Sequence, residues 1–107
     1  MKRREPIMFL VAGLLATSAT AGDLAERGKQ VFTQEAQPSC TICHTLSDAG
    51  ASGEIGPNLD ELAPSEDQVR NAVTSGVGIM PAFSESLSEE QINAVARYIS
   101  SVTGGKP

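Results

Sequence analysis

Five consecutive residues, Cys40-Thr41-Ile42-Cys43-His44, constrain this chain more than any other stretch. They hold both cysteines and the only histidine of 107 residues. On a turn of helix, positions i, i+3 and i+4 share one face, so two thiols and an imidazole project to one side. Such a cluster suits a disulfide, a metal, a redox couple or a covalently held cofactor. Each makes a different demand on the rest of the chain.

The surroundings narrow the choice. A thioredoxin-like redox pair needs a βαβ frame, and no strand alternation is present. A structural zinc site wants four ligands, whereas Cys40, Cys43 and His44 supply three and a carboxylate would have to complete the shell. A Cys40–Cys43 disulfide closes too short a loop to staple a fold. Cys-x-x-Cys-His reads as a c-type haem attachment site, with Cys40 and Cys43 reaching the vinyl groups and His44 reaching the iron. The disulfide and the zinc site stand as alternatives.

The N-terminus bears on compartment. Lys2, Arg3 and Arg4 precede an apolar run from Ile7 to Leu15, and small residues close it at Ala19-Thr20-Ala21. That order reads as a cleaved secretory signal over residues 1–21, with an uncleaved anchor as the alternative. The run is short of the roughly 20 residues that a membrane span needs. Residues 22–107 then form one exported, periplasmic domain. They carry five basic and twelve acidic side chains, a net charge of −7, which argues against a nucleic-acid partner. The domain's aromatic residues are Phe32, Phe83 and Tyr98. A chain this small and this poor in aromatics needs a disulfide, metal or cofactor to complete its core.

Periodicity predicts an all-α domain of three or four short helices around a long loop. Leu24, Gly28, Val31 and Phe32 share a face between Asp23 and Gln34. Ser65 with Gln68, and Ser88 with Gln91, have capping-box spacing, while Gly76 and Gly104 mark the two stops. Val69, Ala72 and Val73 supply the buried face of the first of these helices; Ile92, Val95, Tyr98 and Ile99 supply that of the second. Residues 46–64 are rich in Gly, Ser, Ala and Asp and read as loop. With one histidine, two-histidine ligation within this chain is impossible. Met80 is the one methionine outside the signal, in a Gly-rich loop before Pro81 rather than on an apolar helix face. It is the candidate distal ligand, because a thioether raises the reduction potential and suits electron transfer.

Taken in order, Cys40-x-x-Cys43-His44, Gly56-Pro57-Asn58-Leu59, "GVGIMPAF" and the C-terminal amphipathic helix resemble a small bacterial class I cytochrome c over Gly22 to Gly104. The resemblance implies a cytochrome c fold wrapped around one haem c bound through Cys40 and Cys43, with His44 and Met80 on the iron. It also implies that the Pro57 carbonyl accepts the His44 Nδ1–H, fixing the ring and raising its basicity. It implies a close crossing of the first and last helices at Gly28, with Phe32, Val95 and Tyr98. Leu59, Leu62, Val69, Val73, Ile79 and Phe83 are expected cofactor walls. The chain departs from mitochondrial relatives in lacking tryptophan and any tyrosine outside the last helix. Arg70 is the candidate substitute as propionate partner, against a plain solvated helix face.

The function so implied is a periplasmic one-electron carrier and not an enzyme, since both axial positions are filled. Its expected partners are redox proteins such as a periplasmic dehydrogenase and a terminal oxidase or another cytochrome, with no stable membrane insertion. Two further readings remain. One is a haem subunit or dedicated acceptor of a periplasmic oxidoreductase such as a sulfite dehydrogenase. The other is an open-site haem sensor or peroxidase-like protein.

Overall fold

A computed structural model describes residues 21–107. The expected secretory signal lies outside the described residues except for Ala21, the first residue of α1 (Ala21–Gln30). The helix expected to run to Gln34 widens at its end into a π-helical turn, Val31–Glu35. There the Thr33 hydroxyl donates to the Lys29 carbonyl at 2.8 Å, a side-chain bond of the kind that competes with the helix ladder. The turn carries Val31 and Phe32 into full burial.

A one-turn helix α2 (Cys40–Cys43) follows, started by Ser39, whose side chain accepts from the Thr41 N–H. His44 is already extended and leads into a minimal antiparallel hairpin: β1 (Thr45–Leu46) pairs with β2 (Ala51–Ser52). Neither this two-residue hairpin nor α3 (Leu59–Leu62) is among the expected elements, but the domain is mostly helical, in keeping with the expected all-α class. Strands of two residues cannot display an alternation. Asn58 starts α3 by accepting from the Asp60 and Glu61 N–H groups.

The two helices with capping-box spacing form as expected. In α4 (Glu66–Ser75), Gln68 N–H donates to Ser65 Oγ at 3.1 Å and Ser65 N–H to Gln68 Oε1 at 2.9 Å. In α5 (Glu89–Thr103), Ser88 and Gln91 repeat the exchange, and the helix stops at left-handed Gly104. No described helix is long and apolar enough to cross a membrane.

The core sits where α1 and α4 both pack on α5. Gly28 makes the α1–α5 crossing possible. A Cβ there would overlap the Ala94 carbonyl oxygen and lie 2.5 Å from the Tyr98 Cβ, so Ala94 and Tyr98 make the tightest approach. Val95 is a fully buried core residue in the same cluster as Phe32 and Tyr98. Phe32 meets Tyr98 edge-on, with ring centroids 6.1 Å apart. The α4–α5 face also carries a buried carboxylate, Glu66. Arg97 Nε lies 2.9 Å from its Oε2, and Arg70 lies 3.6 Å from its Oε1. The contact from Arg97 Nε is ionic only, since that nitrogen makes no hydrogen bond.

Candidate haem site

Between α2, the 55–64 segment, α4 and the 76–83 loop lies a cavity of about 400 Å³. That is within the range of pockets that hold organic cofactors. Cys40, Cys43, His44, Pro57 and Met80 all line it. Phe32, Leu59, Val69, Val73 and Phe83 form its buried apolar walls. Four further lining residues, Ile55, Leu62, Val77 and Ile79, are large, apolar and between 53% and 83% exposed. Exposed side chains of this type, gathered on one cleft, fit a broad apolar group lying against them.

Each polar element has a structural cause. The one-turn α2 puts Cys40 and Cys43 on the cavity side as free thiols. Burial pushes the Cys40 thiol up to about 11, with the neighbouring Cys43 adding to the rise. Before attachment it is therefore an uncharged thiol at neutral pH. His44 Nδ1 lies 2.7 Å from the Pro57 carbonyl oxygen. A carbonyl can only accept, so Nδ1 carries a proton, and in the neutral ring this leaves the Nε2 lone pair for a metal. Gly56 leaves space for the ring, since a Cβ there would come within 2.7 Å of His44 Cε1. The peptide link Gly56 N–H to Cys43 O, at 2.6 Å, ties this segment back to the motif.

Met80 is half-buried and closes a tight loop: Val77 and Met80 exchange backbone hydrogen bonds of 3.1 and 2.8 Å. Gly76 at φ 77° and Gly78 at φ 57° permit the reversal. Phe83 N–H then donates to the Val73 carbonyl at 2.8 Å, pinning the loop to α4.

The cofactor fits these residues: two thiols, one oriented imidazole and one thioether open onto one apolar cavity. The zinc alternative loses ground, because no group of three or more His, Cys, Asp or Glu side chains among the described residues is arranged to hold a metal ion. Arg70 does not line the cavity, and its role as propionate partner is not supported. Its guanidinium serves Asn93 Oδ1 at 2.8 Å, Asp67 and Glu66. Tyr98 likewise donates away from the cavity, to Asp48 at 2.6 Å. The polar lining side chains besides the motif are Ser39 and Gln68.

Comparison with known proteins agrees with this site. Residues 23–99 match the family model described as cytochrome c oxidase, cbb3-type, subunit III. Cytochrome c6 of Rippkaea orientalis is 36% identical over 92% of this chain and 92% of its own. The cbb3-type cytochrome c oxidase subunit CcoP of Azospirillum sp. is 30% identical over 95% of this chain but 36% of its own length. Among solved structures, the c-type cytochrome SorU from Sinorhizobium meliloti has 49% identity and a TM-score of 0.74, over 79% of this chain and 97% of that one. The chain therefore belongs to the c-type cytochromes: it is a small monohaem class I member that carries one haem c, bound through Cys40 and Cys43, and moves electrons.

Proposed function

We propose that His44 and Met80 are the axial ligands of this haem and that the protein is a periplasmic one-electron carrier rather than an enzyme. One observation carries the reading: His44 is held as the Nδ1–H tautomer by Pro57 on the wall of the same cavity that Met80 lines. With His44 and Met80 both holding the iron, the bound haem would supply one-electron exchange, and this chain would leave no coordination site for a substrate. The chain's own residues do the rest. Cys40 and Cys43 tether, Pro57 orients His44, the Val77–Met80 turn holds the thioether, and the apolar walls exclude water. In this reading residues 1–21 are a secretory signal and 22–107 the cytochrome domain.

The partner is a redox protein, such as a periplasmic dehydrogenase on one side and a terminal oxidase or another cytochrome on the other. The composition of residues 22–107 supports a partner with basic residues around an apolar contact, since twelve acids face five bases. Service as the haem subunit or dedicated acceptor of a periplasmic oxidoreductase such as a sulfite dehydrogenase uses the same site.

The test is an absorption spectrum of both redox states, with Met80→Ala beside the native protein. The variant should keep its covalent haem, lose the weak red-edge band of Met-ligated ferric haem, lower the reduction potential and bind carbon monoxide when reduced. An unchanged band and potential would exclude Met80 as ligand. Carbon monoxide binding by the native ferrous protein would favour the open-site sensor or peroxidase-like alternative.

A further inference from the structure

The bond from His44 to Pro57 is one of two side-chain ties between the same two segments. Three residues further along each, Asp60 Oδ2 accepts from both the Ser47 N–H and the Ser47 hydroxyl, each at 2.9 Å. Both ties span 13 residues, so they lie in register. We propose that Asp60 is a positioning residue for the haem site: through Ser47 it holds the Pro57 carbonyl against the His44 ring and thereby sets the donor strength of the imidazole. The inference rests on His44 being an axial ligand.

Both ends of the Asp60 tie are anchored. Asn58 accepts from Asp60 N–H at 3.0 Å and Glu61 N–H at 3.3 Å, so the turn that carries Asp60 also fixes the residue next to Pro57. On the other side Ser47 adjoins Asp48, which accepts from the buried Tyr98 hydroxyl of α5 at 2.6 Å and pairs with Lys29 of α1 at 3.5 Å. The helix crossing thus reaches the histidine's carbonyl partner through two carboxylates. Bonds to an ionised acceptor are the stronger kind, and here one oxygen takes two.

Loosening this tie lengthens the Nδ1–H···O bond and weakens the histidine as a donor. A weaker donor stabilises ferric iron less, so the potential rises. Loss of the Asp60 charge raises it too, and the variants must separate the effects. Ser47→Ala removes one bond and no charge; Asp60→Asn removes the charge and keeps an acceptor; Asp60→Ala removes both.

The experiment uses the haem-loaded protein: proton NMR of the ferrous form for exchange of the His44 ring N–H, and redox titration. Asp60→Ala should exchange about tenfold faster than native, the factor that about 1.4 kcal/mol of lost hydrogen bonding produces. Its potential should exceed that of Asp60→Asn, and Ser47→Ala should show a smaller shift of the same sign. Native exchange in both Asp60→Ala and Ser47→Ala would overturn the proposal, as would equal potentials in Asp60→Ala and Asp60→Asn with no shift in Ser47→Ala. If Asp60→Ala fails to fold, Ser47→Ala decides alone: native exchange and potential there overturn it. A native spectrum lacking any haem-shifted His44 ring N–H would instead overturn the ligand reading itself.

Discussion

Gly28→Ala is the substitution whose cost the structure sets most directly, because two opposing effects can be weighed. Alanine is better than glycine inside a helix by about 1 kcal/mol, and residue 28 lies within α1. Against that gain, the new methyl would overlap the Ala94 carbonyl oxygen and stand 2.5 Å from the Tyr98 Cβ. Ordinary carbon contacts are about 3.5–4.0 Å, so the helices must part by about 1 Å. Neither obstacle can swing aside: one is backbone and the other is the first atom of a buried side chain. Overpacking of this kind costs about 1–3 kcal/mol and here falls in the upper half of that range. The net expectation is a loss of about 1–2 kcal/mol, or roughly 5–15 °C in melting temperature for a domain of this size. The shift should reach the haem, since Phe32 lies one turn beyond Gly28, packs on Tyr98 and lines the cavity. Thermal melts followed by far-ultraviolet circular dichroism and by the main haem band should therefore drop together. A variant as stable as the native protein would show that helix propensity wins and that the crossing is not tight.

Tyr98→Phe should destabilise by on the order of 1 kcal/mol at neutral pH, less than a fully buried charged hydrogen bond because water can reach the half-exposed Asp48. The Tyr98 hydroxyl, with help from Lys29, holds the Asp48 carboxyl below its ordinary pKa, so this stability is present above about pH 4 and is lost as pH falls through the folded value. Urea unfolding at pH 6 and near pH 2.5 should show the native–variant gap narrowing in acid; an equal gap at both would contradict the linkage. Electron transfer with a basic partner should slow as ionic strength rises, while an acidic partner should speed up. Stopped-flow rates that stay flat with salt for both would mean that the −7 charge of residues 22–107 does not steer docking.

What the sequence made legible is what local chemistry determines. Ser65 with Gln68, and Ser88 with Gln91, announce α4 and α5 because a capping box is complete within four residues. Cys40, Cys43, His44 and Met80 stood out by scarcity, and the cavity gathers all four. The resemblance anticipated the His44–Pro57 contact and the Gly28 crossing, and the structure adds Ala94 as its tightest contact. The missed elements are short or set by distant partners. A signal for α3 was present, since Asn58 followed by Asp60 and Glu61 is a helix start with acids in its first turn. Nothing local marks the hairpin or the pairing of Ser47 with Asp60. Arg70's partners could not be read locally, because one of the acceptors that claim it, Asn93, comes from another helix.

The two proposed ligands are anchored to different helices, and this gives the fold its functional logic. His44 is referred to α5 through Pro57, Asp60, Ser47, Asp48 and Tyr98. Met80 is referred to α4 through the bond from Phe83 to Val73. The relation between the ligands is therefore governed by the α4–α5 joint, where apolar residues pack and Glu66 bridges Arg70 and Arg97. A buried ion pair adds little net stability, since its desolvation offsets its attraction, but breaking one partner is costly. Its value at this joint is to penalise any relative slide of the helices. An electron carrier needs that stiffness, because a metal centre held in one geometry in both oxidation states has little structure to rearrange when the electron moves. The apolar walls work in the other direction. Ile55, Leu62, Val77 and Ile79 are exposed on the cavity side, so a bound haem would cover them and stabilise the segments that carry them.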